Sequence, residues 1–304
     1  LAHYALNLRP GVVSTAQVDR LASAGLALLG GTRQGLGALR RLARWSTRSA
    51  RPALTPADMA PAVSALRAQL RGSTPRPTLN EHDAKRVLAA AGLPVARERL
   101  VHTEAEAVAA AADLHHPVVL KVVSDAIAHK TEHGLVALDL RDGDAVRTAW
   151  ATLNERACAA SLGDRITGWL VQDMVAGGIE CLAGIERDPD FGLVLVFGLG
   201  GIAVEVVDDT VLRPLPLRRG DALEMIHGLR ASALFGPLRG APPADVTALV
   251  DCLERLAAFA IAAGDQLASI DLNPIKVMPE GRGCRIVDAL LIPALAHPQH
   301  CGTR

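Results

Sequence analysis

Residues Val196 to Asp209 read VFGLGGIAVEVVDD, and the fold turns on the residues directly after the glycines. Gly198, Gly200 and Ala203 give the spacing G-x-G-x-x-A behind an apolar run, the pattern of a dinucleotide-binding turn. That turn works only if a helix opens at once and presents its N-terminus to a pyrophosphate. Here the next residues are AVEVVDD, β-branched and alternating, which predict a strand. A doubly wound dinucleotide fold is therefore excluded. There remains a glycine turn between two strands, able to bring backbone N–H groups near phosphate oxygens or to serve as a plain tight hairpin.

Outward from this turn, strands and helices mix. PVVLKVV (117–123), LVALDL (135–140), GWLVQDMV (168–175), IECLAGIERD (179–188), GLVLVFG (192–198) and VLRPLPL (211–217) are expected strands. Helices are expected at 18–29, 35–45, 60–70, 104–114, 144–162, 220–229 and 243–263, and Asn80 is the N-cap of a helix that stops at Gly92. LASIDLNPIKVMP and CRIVDALLI close the chain as two strands around the turn EGRG. The class is α/β to α+β, without internal repeats. The linker-like STRSARPALTPADMAP and RGSTPRPT divide it into 1–50, a linker 51–77, a main domain 78–294 and a tail 295–304.

The chain of 304 residues is 50% hydrophobic and 21% charged, which suits folded domains rather than a disordered one. Its 32 Lys plus Arg equal its 32 Asp plus Glu, so no net field favours nucleic acid. The arginine-rich RRLARWSTRSARP (40–52) has no aromatic partners beyond Trp45 and is expected as solvated helix and linker charge. No apolar run reaches roughly 18 residues, so no membrane span is expected. The five cysteines show no C-x-x-C pairing, which points to free thiols in a reducing cytoplasm and rules out a zinc ribbon. Opening at Leu1 without a signal pattern, the chain is expected to be a piece of something longer.

Three other features carry chemistry. Lys121 lies in the middle of an apolar strand, where a lysine is costly unless paired; it is either an edge residue or a cation aimed at phosphates, and no P-loop exists to hold them instead. Asp271 and Asn273 share a strand face, and the closing hairpin can bring Asp288 beside them, hard oxygen donors of the kind that suit Mg²⁺. His129, Glu132 and His133 spell H-x-x-E-H, yet the segment is bounded by strands and leaves room for at most one helical turn. A zinc protease needs a stable helix there.

Taken in order, LNEHDAKRVLAAAGLPVARE, PVVLKVVSDAIAHKTEHGLVALDL, the run from LVQDMV to LRPLPL, and IDLNPIKVMPEGRGCRIVDALL resemble the ATP-grasp domain of NDP-forming acyl-CoA synthetases, the group related to the succinyl-CoA synthetase β subunit. The resemblance covers about 77–292, and 1–45 more weakly resembles the tail of a flavodoxin-like CoA-ligase domain. It implies an ATP-grasp fold, two α+β subdomains clasping ATP. It also implies reversible formation of acyl-CoA, ADP and phosphate from acid, CoA and ATP through acyl phosphate and phosphohistidine.

By this resemblance Lys121 binds ATP phosphates, Asp173 lies in the adenine hinge, and Glu180 approaches the ribose. Gly200 and Gly201 form the phosphate-side turn, with Glu205 and Arg213 lining the site. Asn273 and Asp288 bind Mg²⁺, and His129 accepts the phosphoryl group. The implied cofactors are ATP/ADP and Mg²⁺. CoA is bound by upstream CoA-binding and CoA-ligase domains, on the same parent protein or on a separate subunit of an oligomer, in the cytoplasm. Neither nucleic acid nor membrane is an expected partner. His133-Gly134, Ser269 and Leu290 depart from the family's usual Gly-Gly, acidic residue and arginine. Two other functions stay open: a carboxylate ligase acting through acyl phosphate, and an inactive nucleotide-sensing domain of an acetyltransferase.

Overall fold

The computed structural model describes residues 4–7, 14–54, 58–71, 78–124, 134–160, 166–201, 209–238 and 240–294. The expected strand AVEVVDD and the H-x-x-E-H segment fall outside them, save for Asp209. The chain divides into Leu1–Ala53 and Leu54–Arg304.

In the first unit β1 (Tyr4–Asn7) pairs in parallel with β2 (Ala27–Gly30), and α1 (Thr15–Ser23) and α2 (Thr32–Ser49) alternate with them. The helix expected over 18–29 therefore breaks. Gly25, at φ +71°, ends α1, and the apolar run after it is free to extend as β2. A short apolar run reads equally well as strand or helix, and its parallel partner decides.

In the second unit a four-stranded antiparallel sheet has the order β3 (Glu98–Val101), β6 (Ile166–Asp173), β4 (Val118–Ser124), β5 (Val136–Leu140). Helices α5 (Glu104–Leu114) and α6 (Gly143–Ala159) cover one face, capped by the side chains of Thr103 and Asp142. The core between them holds Val118, Leu120, Val122, Leu153 and the Trp150–Trp169 pair, whose ring centroids are 4.4 Å apart. Every residue of β4 is buried, so its uninterrupted apolar run is that of a strand covered on both faces.

The larger sheet runs β11 (Cys284–Ile286), β10 (Leu267–Val277), β7 (Ile179–Asp188), β8 (Gly192–Leu199), β9 (Thr210–Pro214), with β12 (Ala289–Pro293) also on β10. Packed into its core are α3 (Ala60–Leu70), α4 (Glu81–Ala90), α7 (Asp221–Gly228) and α8 (Val246–Ala263). The linker assignment for 51–77 gives way over α3. Met59, Ala62 and Leu66 are buried in this core, so their apolar surface is what fixes the segment in place. Asn80 caps α4, its Oδ1 accepting from Asp83 N at 3.0 Å, and Gly92 comes after it at φ +73°.

The sequence CRIVDALLI is two strands rather than one. Leu272 pairs with Ala289 and Ile275 with Ile286, so Asn273-Pro274 faces Val287-Asp288 across an interruption. Two main-chain bonds close it, Asn273 N to Asp288 O at 3.3 Å and Val287 N to Pro274 O at 3.0 Å. Cys181, Cys252 and Cys284 are buried free thiols, and burial pushes Cys181 up to about 12, which removes its nucleophilic form. Among the described residues no helix is long and apolar enough to cross a membrane.

Candidate functional site

Strand alternation places the candidates. On the small sheet Lys121 points away from Leu120 and Val122, which fill the core under α5 and α6, and so faces the other lobe. Its ammonium donates to Glu81 Oε1 at 2.7 Å and, more weakly, to Val287 O at 3.4 Å. The second contact sets Lys121 beside the interrupted hairpin that carries Asn273 and Asp288. Asp271 and Asn273 are exposed on one face of β10, between buried Ile270, Leu272 and Ile275.

Glu180 is the cross-strand partner of Lys276, and its Oε1 lies 2.8 Å from Lys276 Nζ. Behind it runs the glycine turn. Gly200 N donates to Glu180 O at 2.7 Å, so that N–H closes the turn and is not available to a phosphate. Gly201 is at φ +69°, and a Cβ there would lie 2.6 Å from Glu180 Oε2. Only glycine leaves that carboxylate its position.

Asp173 ends β6 at the crossing between lobes. Its carboxylate takes a 2.7 Å bond from Arg97 Nε, while its N–H donates to Arg97 O and that of Met174 to Pro117 O. A cavity of about 300 Å³ opens here, lined by Pro117, Asp173, Met174, Val175, Met278 and Arg285 among others.

Arg213 is not brought to this face. It pairs with Leu195, which pairs with Ile185, and both leucine and isoleucine are buried on the helix-covered side. The Arg213 guanidinium points to α7, where Nη2 is 3.8 Å from Glu224 Oε2. Leu212 and Pro214 take the opposite face, so alternation in VLRPLPL carries the signal. Glu205 and His129 lie outside the described residues.

Sequence reasoning missed the network behind Lys121. Lys85 is 1% exposed, and its three N–H groups go to Glu81 Oε1 at 2.7 Å, Glu98 Oε2 at 2.9 Å and Gln172 Oε1 at 2.7 Å. His82 Nδ1 meets Glu98 Oε1 at 2.9 Å. Two lysines and two glutamates thus balance within one buried cluster. Desolvation lowers the Lys85 pKa, but Glu81 and Glu98 outweigh it and hold the value above the ordinary lysine range. The stability this confers is complete at neutral pH and below, and is lost only as pH climbs through that raised value. Lys85→Met is expected to cost about 3–5 kcal/mol in denaturant titrations, because Glu81 and Glu98 both lose a cation, leaving Glu81 with Lys121 and Glu98 with His82.

The donors present fit a magnesium–phosphate site. Mg²⁺ bound to a nucleotide takes one or two protein oxygens and completes its shell with phosphate and water. Asn273 and Asp288 offer one amide oxygen and one carboxylate from backbone held together by its own bonds. Among the described residues no group of three or more His, Cys, Asp or Glu is arranged for a metal.

The ATP-grasp domain family matches residues 71–292. The chain is 36% identical over 217 residues to the β subunit of acetate–CoA ligase (ADP-forming) II of Pyrococcus furiosus, covering 71% of this chain and 92% of that one. It is 37% identical over 213 residues to 4-hydroxybutyrate–CoA ligase (ADP-forming) of Nitrosopumilus maritimus, of which it spans only 30%. Among solved structures it superposes on acetyl-coenzyme A synthetase 1 of Ca. Korarchaeum cryptofilum, with coenzyme A, Mg-AMPPCP and a phosphohistidine segment pointing towards the nucleotide site. The TM-score is 0.65 at 34% identity, over 76% of this chain and 99% of that one.

Proposed function

We propose, from the premise that this chain belongs to the ATP-grasp family as the ATP-grasp portion of an ADP-forming acyl-CoA synthetase, that it exchanges a phosphoryl group between Mg-ATP and His129. The observation that carries this is Lys121, held beside the Asn273–Asp288 hairpin with one N–H uncommitted among the described residues. A phosphate oxygen is the acceptor that completes it.

In this account the base lies at the hinge, where the N–H groups of Asp173 and Met174 are spent internally and that of Val175 is free among the described residues. The Glu180 carboxylate accepts from ribose hydroxyls. Gly201 brings main chain against the phosphates, and Lys121 neutralises charge on the group in transfer. Asn273 and Asp288 hold Mg²⁺, which supplies further neutralisation of the phosphate oxygens. Neutral imidazole of His129 attacks the γ-phosphorus, the bond from phosphorus to the bridging oxygen breaks, and ADP leaves. The imidazole proton passes to solvent and a phosphoramidate remains.

Transfer onward to a carboxylic acid and CoA, forming acyl phosphate and then acyl-CoA, belongs to CoA-binding partner domains or a partner subunit. The chain matches nearly the whole of a β subunit but less than a third of a single-chain ligase, which fits that division. Incubation with γ-labelled ATP and Mg²⁺ is expected to give an acid-labile, alkali-stable phosphoprotein and no acyl-CoA. Absence of the label, with nucleotide binding intact, would favour an inactive sensing domain; acyl-CoA made by the isolated chain would refute the division of labour.

A further inference from the structure

We propose that Glu81 is a positioning residue for phosphoryl transfer: it holds the Lys121 ammonium from the opposite lobe and competes with nucleotide phosphate for it. The proposal rests on Lys121 as the phosphate ligand. Glu81 stands on α4, whose Ala84, Val87 and Leu88 are packed in the core of the six-stranded sheet, whereas Lys121 belongs to the four-stranded one. Their 2.7 Å bond therefore spans the two lobes.

The two lysines on Glu81 Oε1 are not equivalent. Lys85 is four residues along the same helix and has all three donors committed. Two of those donors go to Glu98 and Gln172 of the four-stranded sheet, so Lys85 is fixed from both lobes and leaves nothing for a phosphate. Lys121 has one short bond, one long one, and a donor to spare among the described residues. A phosphate arriving at Lys121 thus turns it into a bridge between two anions.

Glu81 loses nothing by this, because Lys85 remains its counterion. The phosphate, however, meets a lysine whose charge is already partly answered. Glu81 consequently weakens ground-state nucleotide binding and restrains where the ammonium stands when charge develops on the transferring group. That is the division expected of a group working for the transition state rather than for binding.

The test is a cycle of Glu81→Gln and Lys121→Met, read as affinity for Mg-AMPPCP by calorimetry and as rate of label incorporation from γ-labelled ATP. Glu81→Gln is expected to bind the analogue roughly three- to tenfold tighter while labelling falls about tenfold, a split that a merely structural loss does not give. In the Lys121→Met background the gain in affinity is expected to vanish. Weaker binding by Glu81→Gln in both backgrounds overturns the proposal and leaves Glu81 structural. Unchanged affinity in Lys121→Met alone overturns Lys121 as phosphate ligand, and this proposal with it. If Glu81→Gln does not fold, Glu81→Asp keeps the charge at a shorter reach. Slower labelling at unchanged affinity then supports positioning, and equal loss of both opposes it.

Discussion

Lys121→Met is expected to stay folded and to transfer phosphate roughly 10²–10³-fold more slowly than the parent, the loss typical of removing one preorganised charge from a developing oxyanion. The folding cost is small because Glu81 keeps Lys85 as its partner at 2.7 Å, and methionine fills much of the lysine stem's apolar volume. The chemical cost is large because Lys121 stands beside the Asn273–Asp288 hairpin with, among the described residues, a donor to spare. Lysine-to-arginine is not a rescue: the site is 6% exposed and shaped for a point charge, not for a planar fork. A labelling time course with circular dichroism on both variants measures the two costs separately. A Lys121→Met chain that labels at the parental rate would remove Lys121 from the transfer step.

His129→Ala is expected to abolish the acid-labile phosphoprotein altogether while leaving affinity for Mg-AMPPCP unchanged. A phosphoramidate is cleaved by acid and survives alkali, which separates it from serine or threonine phosphate. The neighbouring Glu132→Gln and His133→Asn are expected to label normally, since one imidazole suffices as nucleophile and carrier. These three variants, tracked by label retention after acid and alkali, decide which residue of H-x-x-E-H matters. Label that persists in His129→Ala would end the relay proposal.

Much of the fold was legible because local chemistry and tertiary context agreed. Asn80 as a cap, Gly92 as a stop, and the alternation of β7 and β10 each had a cause within a few residues. Lys121 was legible as an anomaly, a charge inside an apolar strand, although not as half of a pair. Glu81 and Lys85 carry no such local signal, because charges are ordinary in the first turns of a helix. Their burial is decided by Gln172 and Glu98, which arrive from distant strands. Arg213 was misplaced for a simpler reason: a motif match carried it to the cleft, while the two-residue period of its own strand turned it to the helices. The strand β2 was hidden because three apolar residues and a glycine have no period to measure, and only pairing with β1 distinguishes them.

The hairpin around Asn273 and Asp288 also bears on how freely this sequence can drift. Its spacing is set by peptide groups, Asn273 N to Asp288 O and Val287 N to Pro274 O, which every residue type except proline can supply at the donor positions. Side chains nearby do not define it. Ser269 stands opposite Ile292, and Leu290 opposite Asp271, at ladder positions that lie outside those two bonds. The main-chain spacing of Asn273 and Asp288 therefore asks little of the side chains that flank them.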